Sequence, residues 1–137
     1  MSLKDVGWSQ QHPTKTLIDP DEGPVEVDLE MIPLIEAMWA SGYTTLMSCQ
    51  DIGESILTGG TAIPEPLWPR HSAFYMGSAW LKVPAGDGTR LMQAFKPILR
   101  PGEWLAQIPL TADGPCTWAS IHFPREQINE ATKLLEP

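Results

Sequence analysis

Ser48-Cys49-Gln50-Asp51, followed closely by Glu54 and Ser55, is the densest run of chemically capable side chains in the chain. If His71 opens the strand antiparallel to the one carrying Cys49, thiol and imidazole meet at one end of a sheet. Such a Cys–His pair lowers the thiol pKa and makes a nucleophile, with Asp51 as the accompanying carboxylate. The same trio, with Glu54 as a further ligand, suits a transition metal. Against both stands ordinary packing: a lone Cys at a strand end is more often a small buried hydrophobe, and a lone His a hydrogen-bonded surface or core residue. Cys49, Asp51 and His71 are therefore the candidate catalytic or metal-holding group, and Ser48 and Gln50 the adjoining binding residues. No cofactor is expected, no metal is assigned, and enzyme activity ranks second to plain binding.

The elements that position these residues read as follows. Residues 1–27 form an extended arm, broken by Pro13, Pro20, Gly23 and Pro24, with Val25 and Val27 as a short edge strand. A helix runs from about Glu30 to Ser41 behind an Asp28 cap, with Met31, Ile35, Met38 and Trp39 on one face and Gly42 as its stop. Tyr43 to Cys49 is a first strand. Residues 50–70, rich in Gly and Pro, read as a long loop of the kind that is usually functional or disordered. His71 to Val83 is a second strand, with Gly77 at a bulge. Asp87 caps a helix from Gly88 to about Leu99, with Leu91, Phe95 and Ile98 inward. Trp104 to Leu110 alternates as a third strand. Asp113-Gly114 turns into a fourth, Cys116 to Phe123, and Pro124 opens a last helix.

The expected fold is one α+β domain over residues 28–137, in the order α-β-β-α-β-β-α. Its four-stranded, mostly antiparallel sheet carries helices on one face. Alternation then leaves Phe74, Met76, Trp80, Trp118 and His122 on the uncovered face. Phe74, Trp80, Trp118 and His122 join Ser48 and Gln50 as candidate binding residues, because an aromatic patch of that kind marks a partner surface, a self-association interface or a ligand site. The competing expectation is that the arm or the long loop lies across it.

Charge narrows the partners. Of 137 residues the chain carries a net −8, and between Lys15 and Arg70 there are ten acids and no base. Such a surface lacks the cationic footprint that phosphate contacts need, so nucleic acid is not an expected partner. Two cysteines, Cys49 and Cys116, make no disulfide framework and no Cys-x-x-Cys motif. The first ten residues hold no apolar run of a signal peptide, and no stretch approaches a membrane span. A cytoplasmic protein without a membrane partner is expected. Gly59-Gly60 lacks the spacing and lysine of a phosphate loop, and no Gly-x-Ser-x-Gly elbow occurs.

Pro33-Leu34-Ile35, Met38-Trp39, Gly42, Thr45 and Ser48-Cys49-Gln50 resemble a pattern in small uncharacterised proteins of actinobacteria and their phages. There, a helix ending in Leu-Trp-x-x-Gly precedes a Thr-containing strand and Ser-Cys-Gln or Ser-Cys-Glu. Phe123-Pro124 before the last helix is similar too. The likeness covers residues 28–51 and otherwise only the element order; it implies a fold, an accessory role in a phage or bacterium, and no activity. A fainter similarity runs to the wybutosine-synthesis methyltransferases of transfer RNA, which carry Ser-Ser-Cys-Ser-Gly-Arg. Only Ser48-Cys49 matches it, so that activity is not carried over.

Overall fold

The computed structural model describes residues 12–57 and 63–137. The first element is a hairpin of β1 (Thr14–Asp19) and β2 (Gly23–Asp28), whose register sets Thr14 opposite Asp28. Asp19 closes its turn by accepting from the Asp21 and Glu22 amides, an Asx-type turn, and Gly23 takes the positive φ the reversal needs. The expected arm is therefore a folded hairpin from Thr14 on; residues 1–11 lie outside the described residues.

A short 3-10 turn, Leu29–Met31, leads into α1 (Ile32–Ala40), with Pro33 tolerated in its first turn. Met31, Ile35 and Met38 are buried as their spacing predicts, and Leu34 joins them. Asp28 makes no cap hydrogen bond; its carboxylate is engaged elsewhere.

The main sheet contains β3 (Met47–Cys49), β4 (Ser78–Pro84), β5 (Leu105–Gln107) and β8 (Trp118–Pro124), in the spatial order β3-β4-β8-β5 and antiparallel throughout. A small hairpin of β6 (Leu110–Thr111) and β7 (Gly114–Pro115) separates β5 from β8. With α4 (Ala85–Ala94) and α5 (Ile128–Leu135), the sheet and its helices follow the expected order within a single α+β domain. Ala79, Leu81 and Val83 of β4 and Ala119, Ile121 and Phe123 of β8 point to one side. There they pack with α1, with Leu91 of α4 and Phe95 just after it, and with Ile128 and Ala131 of α5. Gly88 belongs where α4 crosses β8, because a Cβ there would stand 2.5 Å from the Ala119 methyl.

Two segments differ from expectation. Residues 50–70 contain α2 (Ile52–Leu57) and the start of α3 (Trp68–Tyr75), so no irregular loop of that length exists among the described residues. The strand expected from His71 begins only at Ser78: Trp68 to Tyr75 is helical, and Gly77, at φ +79°, turns helix into strand instead of bulging a strand. The aromatic β-propensity of Phe74 and Tyr75 is overridden by packing of α3 on α2. That contact is intimate at Gly53, where a Cβ would meet the Met76 Cα at 2.4 Å and the Ser72 carbonyl oxygen at 2.8 Å. Phe74 and Met76 accordingly leave the sheet face and stand on the α3 edge.

Candidate functional site

The second face of the sheet carries Trp80, Lys82, Trp118, Ser120 and His122, and is partly roofed by α2 and α3. Trp80 donates its indole N–H to Ser120 Oγ at 2.7 Å. The Lys82 ammonium sits 4.5 Å over the Trp118 ring. The His122 imidazole lies between the rings of Tyr75 and Trp80, 5.0 and 6.2 Å between centroids. Burial there lowers the His122 pKa, favouring the neutral ring, and among the described residues its Nδ1 has no hydrogen-bond partner. A cavity of about 270 Å³ remains between α2 and this face, bounded by Ile56, Ile63, Tyr75, Trp80, Trp118 and His122.

A larger cleft of about 1030 Å³ opens at the end of the sheet where β4 begins and β8 ends. His122, Tyr75 and Trp104 line it, with Arg125, Asp51 and Glu30 on one flank. Apolar side chains stand exposed at its rim: Phe74, 72% exposed, with Met76, Leu29 and Leu105. The charge centre is Arg125. Its guanidinium donates to Glu30, to Glu54 and to Asp51 Oδ2, the last at 3.2 Å. Hydrogen bonding to Glu30, then to Glu54, keeps the guanidinium charged at any accessible pH, and Arg125 in turn lowers the Glu30 pKa.

Asp51 is buried and fully used: Oδ1 accepts from the Glu54 amide at the start of α2, and Oδ2 from the Gly77 amide and Arg125. Gln50 is equally committed, accepting from the Glu30 amide and donating to its carboxylate. These two candidates therefore join β3, α2, β4 and β8 together. Ser48 sits half-buried in β3, paired opposite Leu81.

Cys49 does meet an imidazole, but that of His12. Its Sγ lies 4.0 Å from His12 Nδ1 and 3.0 Å from Ser55 Oγ, and His12 Nδ1 lies 3.1 Å from Asp28 Oδ2. His71 is in α3, not on a strand beside Cys49, so the trio of Cys49, Asp51 and His71 is not assembled by the contacts observed. Burial first, opposed by the Ser55 hydrogen bond, pushes the Cys49 thiol up to about 11. A thiol held protonated in this way is a poor nucleophile at neutral pH.

Neither His12, Asp28 nor Arg125 stands in a motif that marks it as part of a site. Asp28 has the position of a helix cap, and His12 precedes the first strand without a motif. The available signal is the turn at residues 19–23: folding the arm back there sets Thr14 against Asp28 and brings His12 with it. Arg125 carries no local mark, since the partners of its side chain are 71 and more residues away.

Fold and site define an antiparallel α+β domain with an amphipathic cleft at one sheet end. No family profile, curated protein or solved structure matches the chain. Among the described residues no helix is long and apolar enough to cross a membrane.

Proposed function

We propose that this protein is a non-catalytic binding module whose ligand surface is the cleft beside Arg125. The supporting observation is the cleft itself, about 1030 Å³, with exposed Phe74, Met76, Leu29 and Leu105 around a polar floor. Its volume lies at the upper end for a small-molecule site, and such pockets pair apolar walls with a few fixed polar groups. Apolar side chains exposed together at one rim, rather than scattered singly, mark an interaction surface.

Charge selects the occupant. Five carboxylates line or adjoin the cleft, those of Glu30, Asp51, Glu54, Glu103 and Glu126, against the guanidiniums of Arg125 and Arg100. Both guanidiniums are already engaged by these acids. The local surplus is negative, in line with the net charge of −8, and favours a positively charged ligand over an anion. An apolar or aromatic body carrying an amine matches both features.

The test is an NMR titration of the full-length protein with paired fragments, an arylalkylamine and the arylalkanoate of the same skeleton. The amine is expected to shift the amides of Tyr75, Gly77 and Arg125, with the acid binding at least tenfold more weakly. Phe74→Ser should abolish the response while leaving the fold intact. Equal binding of acid and amine, or shifts confined to another surface, overturns the proposal. Sedimentation of both proteins reads self-association across the same rim.

A further inference from the structure

We propose that His12, Asp28 and Cys49 form a binding site for one divalent transition-metal ion of the zinc class, between the base of the β1–β2 hairpin and the end of β3. The site is separate from the cleft and does not depend on its function. An imidazole nitrogen, a carboxylate oxygen and a thiol sulfur converge there, all within 4.8 Å of one another. A tetrahedral ion with donors at about 2.0–2.3 Å needs those donors roughly 3.3–3.8 Å apart. The measured 3.1 Å from His12 Nδ1 to Asp28 Oδ2 and 4.0 Å from His12 Nδ1 to Cys49 Sγ bracket that range.

The three donors come from stretches far apart in sequence, and the fold holds them independently. Asp28 Oδ2 is fixed by the Gln50 amide at 2.8 Å, and Cys49 by its ladder pairing with Trp80. The side chains of His12 and Asp28 are only 5% and 14% exposed, so water competes weakly for an ion placed among them. Nitrogen, oxygen and sulfur together suit zinc or cobalt(II) and disfavour calcium and magnesium, which take oxygen alone. Glu54 Oε2 stands 3.8 Å from the other ring nitrogen, Nε2. An ion bound at Nδ1 replaces the 3.1 Å contact between His12 and Asp28 with a shared metal bond, and the Glu54 carboxylate then faces the Nε2–H of the ligating ring. Asp28, Glu30, Asp51 and Glu54 crowd this corner with one guanidinium, Arg125, to offset them, and a dication reduces the negative surplus. Binding is proton-coupled: the Cys49 thiol loses its proton to solvent as the metal–sulfur bond forms.

The experiment is titration of chelator-treated full-length protein with cobalt(II), then displacement with zinc. One equivalent of cobalt is expected, with a near-ultraviolet thiolate-to-cobalt charge-transfer band that zinc abolishes. Cys116→Ser, which removes the other thiol, keeps the band; Cys49→Ser loses it; His12→Ala and Asp28→Asn each weaken binding at least tenfold. A band that survives Cys49→Ser, or disappears with Cys116→Ser, overturns the site, as does wild-type protein that binds no ion. Should Cys49→Ser fail to fold, the Cys49 Cβ resonance of the wild type decides the matter. It must shift on addition of one equivalent of zinc, and an unchanged resonance means that the trio is only a hydrogen-bonded cluster.

Discussion

Arg125 Nη1, just beyond the end of β8, lies 3.2 Å from Oδ2 of Asp51, which precedes α2 and stands 74 residues earlier in the chain. The contact joins the last part of the sheet to the helical pair that roofs its second face. Asp51 is almost wholly buried, and two backbone amides share its carboxylate, so the carboxylate is positioned with or without the arginine. What Arg125 adds is the neutralising charge. The backbone amide of the same residue strengthens the junction, since its N–H donates to the Gly77 carbonyl at 2.7 Å.

Replacing Arg125 with Met is therefore expected to cost about 1–3 kcal/mol, the scale for leaving a buried hydrogen-bonding group without its charged partner. Urea unfolding followed by tryptophan fluorescence measures it. A loss of less than about 0.5 kcal/mol, the range of ordinary surface changes, would show that Asp51 needs only its amide donors.

Gly53→Ala should be more damaging than its chemistry suggests. The added methyl would collide with backbone atoms of Met76 and Ser72, which cannot move without shifting α3. A loss of about 3 kcal/mol is expected, at the upper end for overpacking, with amide exchange accelerated first in α2 and α3. Unchanged exchange in these helices would mean that they do not pack as described.

His122 makes stability depend on pH. Burial holds its folded-state pKa below the ordinary value of 6.5, so the unfolded chain takes up the proton first as pH falls. Unfolding then binds protons, and stability drops from about pH 6.5 downward until the folded ring also protonates. Urea midpoints between pH 7.5 and 5.5 should fall further for the wild type than for His122→Gln. Parallel curves for the two proteins contradict this assignment.

The two cysteines should react very differently. In metal-free native protein at pH 8, iodoacetamide is expected to label Cys116, which is partly exposed, and to spare Cys49. Burial and a thiol pKa of about 11 leave Cys49 about a thousandth ionised at that pH. Mass spectrometry of the peptides distinguishes them. Comparable rates would return Cys49 to consideration as a nucleophile.

Periodicity in the amino-acid order suffices for the parts of this molecule that are locally overdetermined. Ala79, Leu81 and Val83, alternating with Trp80 and Lys82, can bury only one side, and Met31, Ile35 and Met38 can bury only one helical stripe. Gly42, at φ +84°, ends α1 where its position predicts. Those signals are strong because each side chain's own polarity sets which way it turns. They carry the sheet, three of its helices and the location of Cys49 at a strand end.

Residues 50–75 are different. Pro64, Pro66 and Pro69 weaken any helical signal, and Phe74 and Tyr75 favour strands, so local preference alone reads loop and strand. Two short helices form because Gly53 lets them touch, and a short helix gains most of its stability from such contact. His12 beside Asp28 and Arg125 beside Asp51 are likewise set by hairpin register and sheet order. Single-chain periodicity does not encode contacts across 16 and 74 residues, so only the folded protein brings these charged and metal-capable groups together.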